Sequence, residues 1–150
     1  MEIERKFLIT ALPSEWHDVS PSEIEQGYLC TAPVVRVRKV DDSYVLTVKE
    51  RRSSAANILC NREEEFALTA ETYARMLAKC DGRTIRKSRY RIPLADGLTA
   101  EVDIFHGRHE GLQLVEVEFR TEAQAKAFVA PDWFAAEVTD DPRYRNCNMI

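Results

Sequence analysis

The sequence has no apolar run approaching the roughly 20 residues of a membrane-spanning helix. Its acidic, amphipathic start also lacks the basic and then apolar regions of a secretory leader. Cysteine offers little: Cys30, Cys60, Cys80 and Cys147 are far apart and form no Cys-x-x-Cys pair. A zinc site is therefore disfavoured, and reduced, partly core-filling thiols are expected. Histidine is scarce as well, with three residues. His17 follows Trp16 in a polar segment, and His106 and His109 flank Gly107 in what reads as a solvated loop. There is no basic excess: 21 Lys and Arg stand against 25 Asp and Glu, a formal charge of −4. A general nucleic-acid binder gains its affinity by neutralising phosphates, so that class is disfavoured, while a local basic cavity is not. Repeats, low-complexity tracts and linkers are missing too. The 150 residues are expected to form one domain over 1–150, with a sizeable core, a cytoplasmic location, and no membrane or nucleic-acid partner.

What the sequence does have is period two. On a strand, residues two apart share a face. In the opening run, Glu2, Glu4 and Lys6 face one way, and Ile3, Phe7 and Ile9 the other. Segment 34–40 sets Arg36 and Arg38 against Val35 and Val37, and in 44–50 Val45, Thr47 and Lys49 share a face. Between them Asp41-Asp42-Ser43 reads as a hairpin turn. Segment 62–68 sets Glu63 and Glu65 against Glu64, Phe66 and Leu68, and 86–92 sets Lys87, Arg89 and Arg91 against Ser88, Tyr90 and Ile92. Segment 99–105 sets Glu101 and Asp103 against Ala100, Val102 and Ile104, and 112–120 sets Glu116 and Glu118 against Val115, Val117 and Phe119. Tyr28 lies in a further strand-like stretch just after Gly27.

Two segments have helical spacing. Thr69 is the expected N-cap of a helix over 70–80, where Tyr73, Met76, Leu77 and Cys80 form an apolar stripe ended by Asp81-Gly82. Thr121 and Gln124 form a capping-box pattern for a helix over 122–129, stopped by Pro131. A last short helix is expected at Asp141-Pro142. Residues 51–61 read as a long, small-residue loop with a mobile tip.

The charged faces are sorted by sign into carboxylate doublets and basic doublets. A single such face is ordinarily solvated. Two geometries accommodate the set. An open sheet would turn the charges to solvent. An antiparallel sheet closed on itself would turn its apolar face outward beneath the helices and line its interior with charge. Buried charge persists only when paired or bound to ions. Carboxylates hold hard divalent cations, and Arg and Lys hold phosphate oxygens, so a metal-bound polyphosphate would satisfy both halves. Glu2 and Glu4 would then be metal ligands, with Lys6 beside the phosphates.

These motifs, in this order, resemble the CYTH superfamily, the triphosphate tunnel metalloenzymes. The resemblance runs from EIERKFL at the start through QGYL at 26–29, Arg36-x-Arg38, Lys49, Glu63-x-Glu65, Lys87-x-Arg89, Glu101-x-Asp103 and LVEVEF to EVTDDPRYRN at 137–146. It implies an α+β fold built on an eight-stranded antiparallel closed barrel, a tunnel with a charged interior and helices packed outside. It also implies that Glu2, Glu4, Glu116 and Glu118 carry most of the binding of Mg²⁺ or Mn²⁺. Glu63, Glu65 and Asp103 would contribute to a second metal or its water shell, and Glu101 would at least pair with a neighbouring base. Lys6, Arg36, Arg38, Lys49, Lys87 and Arg89 would hold the triphosphate, with Lys87 and Tyr28 assisting the proton or leaving group.

The implied activity is metal-dependent hydrolysis that releases phosphate from inorganic tripolyphosphate. The alternatives are a member acting on a nucleotide or thiamine triphosphate (a nucleoside triphosphatase, thiamine triphosphatase or class IV adenylyl cyclase) and a non-catalytic polyphosphate-binding module. An organic group would need a platform, for which Trp16, Trp133 and Phe134 are the candidates. The resemblance leaves a homodimer open.

Overall fold

Alternation of charged and apolar residues becomes an antiparallel barrel in the computed structural model, which describes residues 1–52 and 56–150. The strands among the described residues are β1 (Glu2–Ile9), β2 (Ser22–Thr31), β3 (Val34–Val40), β4 (Ser43–Arg52) and β5 (Leu59–Ala67), then β6 (Thr84–Pro93), β7 (Thr99–Phe105), β8 (Gln113–Phe119) and β9 (Phe134–Glu137). Their order is β5-β4-β3-β2-β6-β7-β8-β1, and β1 returns to pair with β5. Eight strands therefore close a ring, as expected.

Closure is shared along β1. Glu2, Ile3 and Glu4 pair with Asn61, Cys60 and Leu59 of β5, and further along Phe7 and Ile9 pair with Glu137 and Phe134 of β9. β9 was not anticipated, because FAAE has no alternation to mark it. It is held by packing instead: Phe134 lies 5.0 Å from the Phe7 ring and 4.5 Å from Trp133.

The outer face is apolar and covered. Helix α1 (Ala70–Ala78) begins at Thr69, whose hydroxyl accepts from Thr72 N at 3.1 Å. Tyr73, Met76, Leu77 and Cys80 pack on Val37, Leu29, Tyr44 and Leu46. Gly27 on β2 permits this contact, since a Cβ there would stand 2.7 Å from Cys80 Sγ. Helix α2 (Glu122–Ala127) is capped by Thr121, which accepts from Gln124 N, and Gln124 Oε1 accepts from Arg120 N. With the segment leading to β9 it covers Ile3, Phe7, Val102, Val115, Val117 and Phe119. A 3₁₀ turn at Ser14–Asp18, also not anticipated, brings Trp16 edge-on to Tyr90 at 5.2 Å.

Three expectations change in detail. The loop after β4 is shorter than 51–61, since β4 reaches Arg52 and β5 starts at Leu59; the tip expected to be mobile, residues 53–55, lies outside the described residues. The helix at Asp141-Pro142 is a 3₁₀ turn, Pro142–Tyr144, with Asp141 capping Arg143 N at 3.0 Å. His106 and His109 are half-buried rather than solvated: one ring meets Ser88 Oγ at 2.7 Å, the other the Met149 carbonyl.

The interior is not charged along its whole length. At one end the inward positions become Leu8, Tyr28, Ile85, Phe105 and Leu114, and Val138, Tyr144, Cys147 and Met149 of the C-terminal segment close over them. Charge without a partner or ion is costly to bury, so the end that the chain itself fills is apolar.

Candidate active site

Between that apolar end and the open mouth lies a cavity of about 600 Å³, within the size range of small-ligand sites. Glu2, Glu4 and Lys6 enter it from β1, Tyr28 from β2, Arg36 and Arg38 from β3, and Lys49 from β4. Glu63 and Glu65 enter from β5, Lys87 and Arg89 from β6, Glu101 from β7, and Glu116 and Glu118 from β8. Strand register brings the sets together: Glu4 faces Glu118, Lys6 faces Glu116, Arg89 faces Asp103, and Lys49 faces Glu63. Of the residues expected to hold metal or triphosphate, Asp103 is missing from the lining and sits behind Lys87 and Arg89, and the candidate platform Trp16, Trp133 and Phe134 lies outside the cavity.

Part of this charge is paired. Asp103 Oδ2 lies 2.6 Å from Lys87 Nζ, and Arg89 grips both Asp103 oxygens at 2.7 and 2.8 Å. Both Asp103 oxygens are thus engaged by cations, not held open as a ligand face. Arg89 also reaches Glu101 at 3.0 Å, so Glu101 pairs with a neighbouring base. Lys6 meets Glu116 at 2.9 Å, and Lys49 meets Glu2 at 2.8 Å.

The rest is not paired. Glu4, Glu65 and Glu118 have no cation within ion-pair distance among the described residues. Glu63 Oε2 lies 3.3 Å from Lys49 Nζ, at an angle that makes no hydrogen bond, and is buried without a hydrogen-bond partner. On the basic side, among the described residues Arg36 and Arg38 bond only neutral groups, Thr47 Oγ1 at 3.2 Å and Gln26 Oε1 at 2.9 Å. Arg36 Nε has no hydrogen-bond partner among the described residues.

Comparison with known proteins agrees with this geometry. The CYTH domain matches residues 1–144. An inorganic triphosphatase of Nitrosomonas europaea is 38% identical over 149 residues, covering 97% of this chain and 93% of that protein. One from Acetivibrio thermocellus is 33% identical over 153 residues, covering 99% and 92%. The chain belongs to the CYTH family. A crystal structure of an inorganic triphosphatase superposes on this CYTH domain with a TM-score of 0.71 at 35% identity, covering 99% of this chain and 93% of that one. A Pyrococcus horikoshii protein shares the fold at 20% identity and a TM-score of 0.58, covering 90% and 94%.

Electrostatics in this CYTH domain follow from the unpaired groups. Burial, then the neighbouring Glu116 and Glu2 carboxylates, raise the Glu4 pKa to about 7. Burial also raises Glu2, with Glu63 adding to the shift, and raises Glu118. Glu116 goes the other way, drawn well below the usual carboxylate range by Lys6 and Arg89 despite its burial. Among the described residues no three of these carboxylates converge as a ready metal-holding cluster, but several stand without a cation, one with an orphaned oxygen, and carboxylate oxygens are the donors that a hard divalent cation takes. Burial lowers Lys87 to about 7, with Arg89 and Arg38 adding to the effect and Asp103 opposing it. Tyr28 is raised by burial, so its hydroxyl stays protonated.

Lys87 and Tyr28 do not bond each other. Asn146 Oδ1 accepts from Lys87 Nζ at 3.0 Å and lies 3.4 Å from Gln26 Nε2, which donates to the Tyr28 hydroxyl at 2.7 Å. Gln26, Asn61, Thr47, Arg145 and Asn146 were not singled out from the sequence. Four of them are neutral and carry no charge alternation; the signals that pointed near them are the QGYL stretch, which Gln26 opens, and the EVTDDPRYRN stretch, which Arg145 and Asn146 end.

Proposed function

We propose that this chain is a divalent-cation-dependent hydrolase that releases phosphate from inorganic tripolyphosphate. One observation carries the reading: a single cavity holds carboxylates without cations and guanidinium groups without carboxylates. A cation–polyphosphate complex completes both. Glu2, Glu4, Glu63, Glu65, Glu116 and Glu118 would hold Mg²⁺ or Mn²⁺, and Asp103 would serve them by fixing Lys87 and Arg89. Such a cation, when bound, would supply neutralisation of phosphate charge and activation of water.

The chain's own residues do the rest. Arg36 and Arg38 present planar donors to phosphate oxygens, while Lys6, Lys49 and Arg89 hold the remaining charge in a fixed array, the kind of positioning phosphoryl transfer demands. With its pKa near 7, Lys87 exchanges a proton at Nζ close to neutral pH. The protonated Tyr28 hydroxyl is a donor to a phosphate oxygen.

The inorganic substrate is favoured over a nucleotide or thiamine triphosphate by the lining. Trp16, Trp133 and Phe134 pack on the outside of the barrel, and Tyr28 is the aromatic residue that reaches the cavity. The relatives named inorganic triphosphatases support the same choice. A binding module that recognises phosphate alone has no use for so many carboxylates.

The test is phosphate release by metal-stripped protein, with Mg²⁺ or Mn²⁺ restored, from tripolyphosphate, ATP and thiamine triphosphate in parallel. Cation-dependent release chiefly from tripolyphosphate is expected. Preference for either organic substrate would move the assignment to that class, and no release from any would leave the binding module.

A further inference from the structure

Arg145 stands between two residues that the barrel grips. Lys6 Nζ donates to the Tyr144 carbonyl at 3.0 Å, and Lys87 Nζ donates to Asn146 Oδ1 at 3.0 Å. Both anchors are tunnel lysines. Arg145 itself is extended, with φ −80° and ψ 127°, and its side chain lines the same cavity as Arg36 and Arg38.

Its guanidinium is unspent. Arg145 Nε is buried with no hydrogen-bond partner, and none of the ion pairs among the described residues includes it. The other buried Nε in that condition is Arg36, in the same cavity. An unsatisfied buried donor costs stability, and more so on a charged group, so it persists where something else completes it. Arg89 in the same cavity is already consumed by carboxylates, and the group that completes Arg36 and Arg145 is an anion with several acceptor oxygens.

We propose that Arg145 binds a phosphate group of the substrate, as a third guanidinium beside Arg36 and Arg38 supplied by the C-terminal segment instead of a barrel strand. This rests on the polyphosphate reading above and adds a specific contact to it. The sequence offered no doublet to reveal Arg145, because it lies between two 3₁₀ turns rather than on an alternating strand.

Calorimetric titration with a bridging-imido analogue of tripolyphosphate and Mg²⁺ tests the assignment without turnover. The full chain is compared with Arg145→Gln, Arg145→Lys, Arg36→Gln and, as an outside control, the exposed Arg120→Gln, with thermal melts of each. Arg145→Gln should weaken binding by about tenfold or more, the scale of one charge-assisted hydrogen bond. Arg145→Lys should recover part of that loss, and Arg120→Gln should bind like the parent. Parent-like affinity in Arg145→Gln, with Arg36→Gln weakened, would overturn the Arg145 contact and leave the polyphosphate reading standing. Equal losses in Arg145→Gln and Arg120→Gln would also overturn it, by reducing the effect to long-range charge. If the parent chain fails to bind the analogue, the polyphosphate reading falls and this inference with it. Should Arg145→Gln melt below the assay temperature, Arg145→Lys decides: parent-like affinity there counts against a geometric contact, and a several-fold loss supports it.

Discussion

Lys87 Nζ and Asp103 Oδ2 stand 2.6 Å apart, and each side chain is only 1% exposed. Arg89 completes the group by holding both Asp103 oxygens. Removing one member of a buried charge cluster strands the others, a larger loss than the net value of the pair. Asp103→Asn leaves two buried cations facing one neutral amide and should cost about 3–5 kcal/mol in urea unfolding. Lys87→Met should cost much less, because Arg89 still neutralises Asp103 and a buried ammonium is gone. Equal losses in the two variants would contradict this division of labour.

For the proposed cation site, a pH dependence is expected at Glu4. Its pKa near 7 means that the folded, metal-free protein holds a proton there that an unfolded chain, at 4.5, releases earlier. Stability from this group is therefore present at low pH and falls as pH rises from about 4.5 through 7. A cation must displace that proton, so Mn²⁺ affinity should climb between pH 6 and pH 8. In Glu4→Gln the affinity should be low and its pH slope shallower. Calorimetric titration at both pH values checks this, and an unchanged slope in the variant would remove Glu4 from the ligand set.

Gly27→Ala probes how tightly α1 sits on the barrel. The new Cβ would meet Cys80 Sγ at 2.7 Å and Leu77 Cδ1 at 2.9 Å. Overpacking of this kind typically costs about 1–3 kcal/mol. Thermal melting should show that loss, and Cys80→Ala in the same chain should return part of it by removing the sulfur.

Arg5 ties the outside of β1 to α2 and β9. It makes a two-pronged bond to Glu137 at 2.8 and 2.9 Å and donates to the Ala125 and Phe128 carbonyls. A lysine cannot reproduce that fork. Arg5→Lys should lower stability by about 2 kcal/mol or more, on the scale of charged hydrogen bonds lost. Because β1 also carries Glu2, Glu4 and Lys6, Mn²⁺ affinity should drop alongside; a stability loss with affinity intact would show that the two faces of β1 act independently.

Much of this architecture was legible because alternation marks both faces of a strand at once. Segments 34–40 and 99–105 match β3 and β7 at both ends. The stripe Tyr73, Met76, Leu77, Cys80 lands on the barrel as its spacing implied. What alternation alone left open was whether the charged face looked inward. That is settled by the pairing of β1 with β5, a contact between distant segments that no local pattern encodes. β9 escaped for a related reason: its four residues owe their place to Phe7 and Arg5, not to their own period. In the site, charged doublets stood out, whereas Gln26, Asn146 and Thr47 did not. A neutral side chain becomes a hub only through what lies across the tunnel from it.

The strand that shuts the ring, β1, is also the earliest of the strands among the described residues. Its three tunnel residues have no seat until β5 lies on one side and β8, which ends at Phe119, lies on the other. The ring is thus closed by contacts between segments far apart in the chain, β1 with β5 and β1 with β8, rather than by hairpins between neighbours. Such distant pairing folds slowly, on the order of milliseconds to seconds. Only once those pairings are made do Glu4 and Lys6 stand opposite Glu118 and Glu116, so the charged cavity is a property of the closed ring and of no single hairpin.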